Sequence, residues 1–125
     1  PWTDVALTGE TMNESTYDPM LNITWIKQMA DGYSQGNNLI EPTMSPLYDS
    51  FTGLPSILIH VGSDELLLSD STRFAKRAKS AGVDVDIDVW PDMWHVWHLH
   101  GGFMPESKQA LADAGAYIKS KIPAC

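Results

Sequence analysis

The chain of 125 residues has one cysteine, few basic side chains and no long apolar run. Each shortage excludes something. A lone cysteine, Cys125, cannot close an internal disulfide, so a disulfide-stapled scaffold is excluded and a reducing, cytoplasmic setting is expected. Eight Lys and Arg against sixteen Asp and Glu leave a net charge of −8, which argues against nucleic acid or an anionic membrane as partner. No stretch is apolar enough for a transmembrane helix, and no signal-peptide pattern stands at the start. No internal repeat or low-complexity tract appears. An initiator Met is missing too. The chain opens on Pro1-Trp2-Thr3-Asp4, which reads as the tail of a strand already under way, so a piece of a longer protein is expected.

What is present is organised around residues 56–72. Ser56 to Val61 is a short, mostly apolar and partly β-branched run between Pro55 and Gly62, the pattern of a buried strand in a largely parallel sheet. Asp64 stands just past its end, before a helix start. In open α/β sheets the working side chains gather outside the carboxyl ends of the strands. Gly62-Ser63-Asp64 is equally good turn chemistry, so local sequence leaves Asp64 either a turn acid or a chemical one.

Residues 83–90 supply the context. Val83, Val85, Ile87 and Val89 alternate with polar residues, as in a half-exposed strand near a sheet edge. Past its end comes Pro91-Asp92-Met93-Trp94-His95. A right-handed crossover makes the two strands parallel and brings both C-terminal ends to one edge, where Asp64 and His95 can meet. An Asp that holds a His in one tautomer is the orienting half of a nucleophilic triad.

The remaining chain reads simply. Residues 1–7 finish a central strand. Asn22 caps a helix carrying Ile23, Ile26, Met29, Ala30 and Tyr33, which ends at Gly36. Residues 37–55, with three prolines, form a connecting loop. Ser69 or Asp70 caps the next helix, which buries Phe74, Ala75, Ala78 and Ala81. Pro105 or Glu106 opens a last helix with Leu111, Ala114, Ile118 and Ile122 on one face. The elements read as one α/β architecture over residues 1–125.

Ser45-Pro46-Leu47-Tyr48, Gly53-Leu54-Pro55, Val61-Gly62-Ser63-Asp64-Glu65, Gly82-Val83-Asp84-Val85 and Met93-Trp94-His95-Val96 together resemble the C-terminal half of the hormone-sensitive-lipase-like α/β-hydrolases. These are bacterial-type serine carboxylesterases and lactone hydrolases. The resemblance implies the C-terminal portion of an α/β-hydrolase fold: last strands and helices over 37–125, with 10–36 contributing to a cap. It implies Asp64 as triad acid, His95 as general base, and the nucleophilic serine in an upstream half. Trp25 and Val96 become candidate contacts to a small-molecule ester. No cofactor or metal is expected. The upstream half, or an oligomer partner, should cover the unpaired edge of strand 56–61, and the chain alone should be inactive.

Three motifs compete. Gly32-Tyr33-Ser34-Gln35-Gly36 matches G-x-S-x-G, but a helix precedes Ser34 where the nucleophile elbow needs a strand. The Ser34 reading would make the chain a miniature hydrolase. His100-Gly101-Gly102-Phe103 resembles an oxyanion loop in the wrong chain position. His95, His98 and His100 invite a metal, although zinc sites usually add Cys or a carboxylate. A non-catalytic interaction module, with Asp64 a cap and His95 packed, is the alternative of another class.

Overall fold

The computed structural model describes residues 1–13 and 15–122; Cys125, which carries the expectation of a reducing compartment, lies outside them. The chain divides into two units, Pro1–His95 and Val96–Cys125.

The first unit is built on a strand–helix–strand crossover. Strand β1 (Ile57–Gly62) pairs in parallel with β2 (Val85–Trp90), with Ile57 opposite Val85 and Gly62 opposite Trp90. Helix α2 (Leu68–Ser80) connects them and packs on both. Period-2 alternation decides the faces. Ile57, Ile59, Val83, Val85 and Ile87 gather with Ala75 and Ala78 of α2, and Phe51 and Phe74 close the cluster. The alanines let the helix approach closely, and burying a side chain such as Ile59 contributes roughly 1.5–3 kcal/mol. The alternation fades at the far end of β2, where Val89 is exposed. This is an α/β fold with parallel strands, as the sequence implied. Among the described residues the sheet has two strands, so one edge of β1 has no strand beside it.

Residues 1–7 form no strand. Their backbone donors go to side chains instead: the N–H groups of Thr3 and Asp4 donate to Asp70 Oδ2 at 2.7 and 2.8 Å, and that of Val5 to Ser45 Oγ at 2.8 Å. A second expectation also changes. Neither Ser69 nor Asp70 caps α2; Leu67 holds the cap position without a side-chain bond, and Asp70 sits inside the first turn with its carboxylate turned to the N-terminal segment. Ala81, expected inside, is exposed at the C-cap.

Helix α1 (Ile23–Ser34) follows its sequence closely. Asn22 accepts from the N–H groups of Thr24 and Trp25, and Gln35 and Gly36 end the helix at positive φ. Ile23 and Ile26 pack with Met12, Leu66 and Leu67 in a second core cluster. Residues 37–55 are a loop with one 3₁₀ turn, Pro46–Tyr48.

The second unit contains a 3₁₀ turn, Trp97–His100, and helix α3 (Pro105–Lys121), with Pro105 at its first position. Trp97 is buried, and its carbonyl accepts from Ser107 Oγ at 2.5 Å. The face of α3 turned inward carries Ser107 and Ala110. Leu111, Ile118 and Ile122, expected as the buried stripe, are exposed. Small residues win that face because the turn at Trp97 comes close to it.

Candidate active site

Both strands end at the same edge, and the loops beyond them are stitched together. Ser63 N–H donates to the Trp90 carbonyl and Asp64 N–H to the Met93 carbonyl, each at 2.9 Å, while Asp92 N–H donates to Ser63 Oγ at 2.8 Å. Asp92 takes a left-handed conformation, φ 58°, to turn the chain back. Gly62 makes this closeness possible. A Cβ there would collide with the Met93 carbonyl oxygen and stand 2.5 Å from its carbon.

The loops hold one imidazole and two carboxylates. His95 is partly buried, and its Nδ1 lies 3.4 Å from Glu65 Oε1. Glu65 is 3% exposed, and its other oxygen, Oε2, accepts Gly62 N–H at 2.9 Å. The Asp64 carboxylate accepts from Ser63 Oγ at 2.8 Å. Asp64 and His95 therefore share one end of the sheet, as expected, but among the described residues the carboxylate bonded to His95 is that of Glu65. Adjacent residues in a tight turn point apart; Glu65 turns inward and Asp64 stays partly exposed. What marks Glu65 is its burial: it opens the run Glu65-Leu66-Leu67, all buried, and a buried Glu needs partners.

Thr11 and Asp18 are fastened to the turn that follows. Leu66 N–H donates to Asp18 Oδ2 at 2.9 Å, Thr11 Oγ1 donates to the Leu66 carbonyl at 2.6 Å, and Ser69 N–H donates to Thr11 Oγ1 at 3.0 Å. One turn further, Arg73 reaches two fully buried acids, Asp4 Oδ2 at 2.9 Å and Asp70 Oδ1 at 3.1 Å. Burial pushes the Asp70 carboxyl above the usual aspartate range, against the pull of the Thr3 and Asp4 N–H groups and of Arg73. Burial also acts to raise Asp4, but hydrogen bonds from Thr8 and Arg73 outweigh it and hold Asp4 low. Burial works against the Arg73 charge as well, yet the bond to Asp4 and the two acids raise its pKa further.

The other expected residues lie as follows. Trp25 stands with Met29 and Tyr33 on the exposed face of α1, and no described hydrogen bond or ring contact joins it to His95. Val96 is 36% exposed and takes φ 56°, a left-handed conformation unusual for a β-branched residue. Ser34 closes the last turn of α1, is 4% exposed, and donates to the Asp31 carbonyl; among the described residues no strand precedes it. His98 stacks near Trp97 and His100 near Phe103, with ring centroids 4.0 and 5.6 Å apart. Among the described residues no three His, Cys, Asp or Glu side chains converge on one point.

A parallel strand–helix–strand with an acid and a histidine past the two strand ends defines a class, and comparison with known proteins agrees. A profile of the α/β-hydrolase fold matches residues 1–99, and the chain belongs to that family. Within the family it is similar to the hormone-sensitive-lipase-like bacterial esterases. A solved esterase of the bacterial hormone-sensitive lipase family is 42% identical, with a TM-score of 0.93 over 98% of this chain and 42% of its own. An acetyl-hydrolase of Streptomyces hygroscopicus is 35% identical over 121 residues, 96% of this chain. An esterase of Acinetobacter venetianus is 35% identical over 126 residues, again 96% of this chain. The chain spans about 40% of the length of these curated relatives. No helix among the described residues is long and apolar enough to cross a membrane.

Proposed function

We propose that the protein containing this chain hydrolyses carboxylic esters through an acyl-enzyme. His95, at the edge where β1 and β2 end, is the general base. Its Nε2 takes the proton of a serine hydroxyl as the serine oxygen attacks the ester carbonyl, and returns it to the alkoxide leaving group as the tetrahedral intermediate collapses. Water then attacks the acyl-enzyme by the same two proton transfers in reverse roles. The carboxylates past β1 orient the imidazole and stabilise its cation, and the resemblance gives that role to Asp64.

The nucleophile and the main oxyanion donors lie outside these 125 residues. Three things support this: the chain is some 40% of the length of its relatives, Ser34 has helical surroundings, and among the described residues β1 has an edge with no strand beside it. The rest of the protein, or a partner copy, supplies the strand for that edge. Residues 10–36 contribute to a cap in which the exposed Trp25 meets the acyl group, and Val96 is a separate candidate contact to the ester. Short acyl esters are the substrate class, since relatives of comparable identity are named acetyl-hydrolase and esterase. The single cysteine supports a cytoplasmic setting.

The observation that carries the proposal is one imidazole and two carboxylates on stitched loops at the carboxyl edge of a parallel pair. Its test is covalent labelling of the full-length protein with a fluorophosphonate. One labelled serine outside residues 1–125 is expected. Label on Ser34, or none anywhere, would overturn the reading.

A further inference from the structure

Half of the chain's eight Lys and Arg stand on α2 between residues 73 and 79, with no acid among them. On a chain of net charge −8 this local excess of positive charge sets one stretch of helix apart. The helix does not present it on a flat surface. Beside α2 runs the loop that leads into β1, and the two enclose an open groove of about 660 Å³ within the first unit. Tyr48, Asp49 and Phe51 line one side of it, and Arg73, Lys76 and Arg77 the other. Loop 47–52 precedes β1 and α2 runs back along the strands, so the groove lies toward the ends at which the strands begin, away from His95.

The three cations differ in what already holds them. Arg73 is committed to Asp4, Asp70, Thr8 and the Ser69 carbonyl, so its charge is balanced within the fold. Arg77 is held by neutral groups alone. Its Nη2 donates to the Asp49 carbonyl at 3.2 Å, and its guanidinium carbon stands 5.3 Å from the centroid of the Phe51 ring. Phe51 is itself fixed edge-on by Phe74, ring centroids 4.8 Å apart. Among the described residues neither Lys76 nor Arg77 has a carboxylate within ion-pair distance. The one acid lining the groove, Asp49, accepts the Ser50 N–H on its carboxylate at 2.7 Å and offers Arg77 its carbonyl. A guanidinium fixed by an aromatic face and a carbonyl keeps its full charge and its remaining N–H donors in one orientation.

We propose that this groove binds a phosphate monoester of a small polar molecule, of sugar or nucleoside size. A phosphate monoester is close to a dianion at neutral pH, and it matches two cations that no carboxylate neutralises. A single carboxylate would leave one of them unmatched. The planar fork of Arg77 suits two phosphate oxygens at once, and Lys76 supplies a mobile point charge beside it. The groove is far larger than a bare phosphate and falls in the range of small-molecule sites, about 300–1,000 Å³, which leaves room for the organic body. The site is separate from His95 and does not depend on how the ester chemistry is assigned.

The experiment is calorimetric titration of the full-length protein with adenosine monophosphate, with adenosine and inorganic phosphate as parallel arms. One adenosine monophosphate per chain is expected, with a Kd of about 1 mM or tighter. Inorganic phosphate should bind at least about tenfold more weakly, and adenosine should give no heat. Arg77→Gln should raise the Kd by about tenfold and Lys76→Gln by about threefold, the smaller loss reflecting an exposed, flexible charge. Lys76 makes no described contact that the fold needs, so Lys76→Gln keeps the native thermal midpoint and its weaker binding cannot be ascribed to unfolding. Raising salt from about 50 to about 500 mM should weaken binding at least about threefold. No heat with adenosine monophosphate up to about 5 mM overturns the proposal, as does binding that neither substitution weakens. Inorganic phosphate binding as tightly as the ester, or adenosine binding as tightly as its phosphate, overturns it as well.

Discussion

Arg73→Met is the sharpest test of how the helix behind the site is held. The guanidinium is the one cation facing two acids of zero exposure, and it also donates to Thr8 Oγ1 at 2.8 Å and to the Ser69 carbonyl at 3.2 Å. Methionine fills similar space and removes every one of these bonds. Breaking a buried ion pair by deleting one partner costs about 3–5 kcal/mol. Arg73 itself is 30% exposed, so water relieves part of the loss and the low end, about 3 kcal/mol, is the expected cost at pH 8. The sign of the pH dependence follows from the two acids. Asp4 is held low, so its share of stability is present above the usual 3.8 and is lost as pH falls through its lowered value. Asp70 is raised, so its share is full below 3.8 and is lost as pH rises through its folded value. Without Arg73 both acids titrate higher, and protonation removes the uncompensated charge sooner. The gap between wild type and variant should therefore narrow, to roughly half, between pH 8 and pH 5. Urea unfolding of the full-length protein reads this directly, as a midpoint lower by roughly 1 M at pH 8 for a slope near 3 kcal/mol per M. A gap under 1 kcal/mol at pH 8, or one that widens in acid, would refute the reasoning.

Two further substitutions probe the site. Gly62→Ala should force the Met93 carbonyl away and separate the loops, lowering stability by about 3 kcal/mol or more and kcat/KM by at least about 10²-fold; a variant with native thermal midpoint and native turnover contradicts the close-approach argument. Val96→Gly removes a β-branched side chain from a left-handed conformation and should raise stability by about 1 kcal/mol, read as a higher unfolding midpoint. A lower midpoint for Val96→Gly would mean that the side-chain contacts of Val96 outweigh its backbone strain.

Much of the fold was legible in the sequence because its signals are local. Alternation in residues 83–90, the apolar run before Gly62, and Asn22 as a cap each describe their own neighbourhood, and β2, β1 and α1 follow within a residue or two. The misreadings were all non-local. Residues 1–7 look like a strand, yet their donors go to Asp70 and Ser45, some forty to seventy positions away. Asp70 looks like a cap, but its carboxylate accepts from the N–H groups of Thr3 and Asp4, more than sixty positions away. The apolar stripe of α3 is real, but Ser107 and Ala110 win the inner face because they meet the turn at Trp97. At the site, strand ends and spacing brought Asp64 and His95 to one edge. Which of two adjacent acids turns toward the imidazole depends on the turn after Gly62, which no residue pattern specifies.

The central claim is that His95 is the base of an ester hydrolase. It is tested most directly by turnover of p-nitrophenyl acetate by the full-length protein and its His95→Ala variant. The account predicts measurable hydrolysis by the wild type and a loss in kcat on the order of 10⁴-fold in the variant, by analogy with triad deletions. Loss within tenfold of wild type, or no hydrolysis by the wild type, would contradict it.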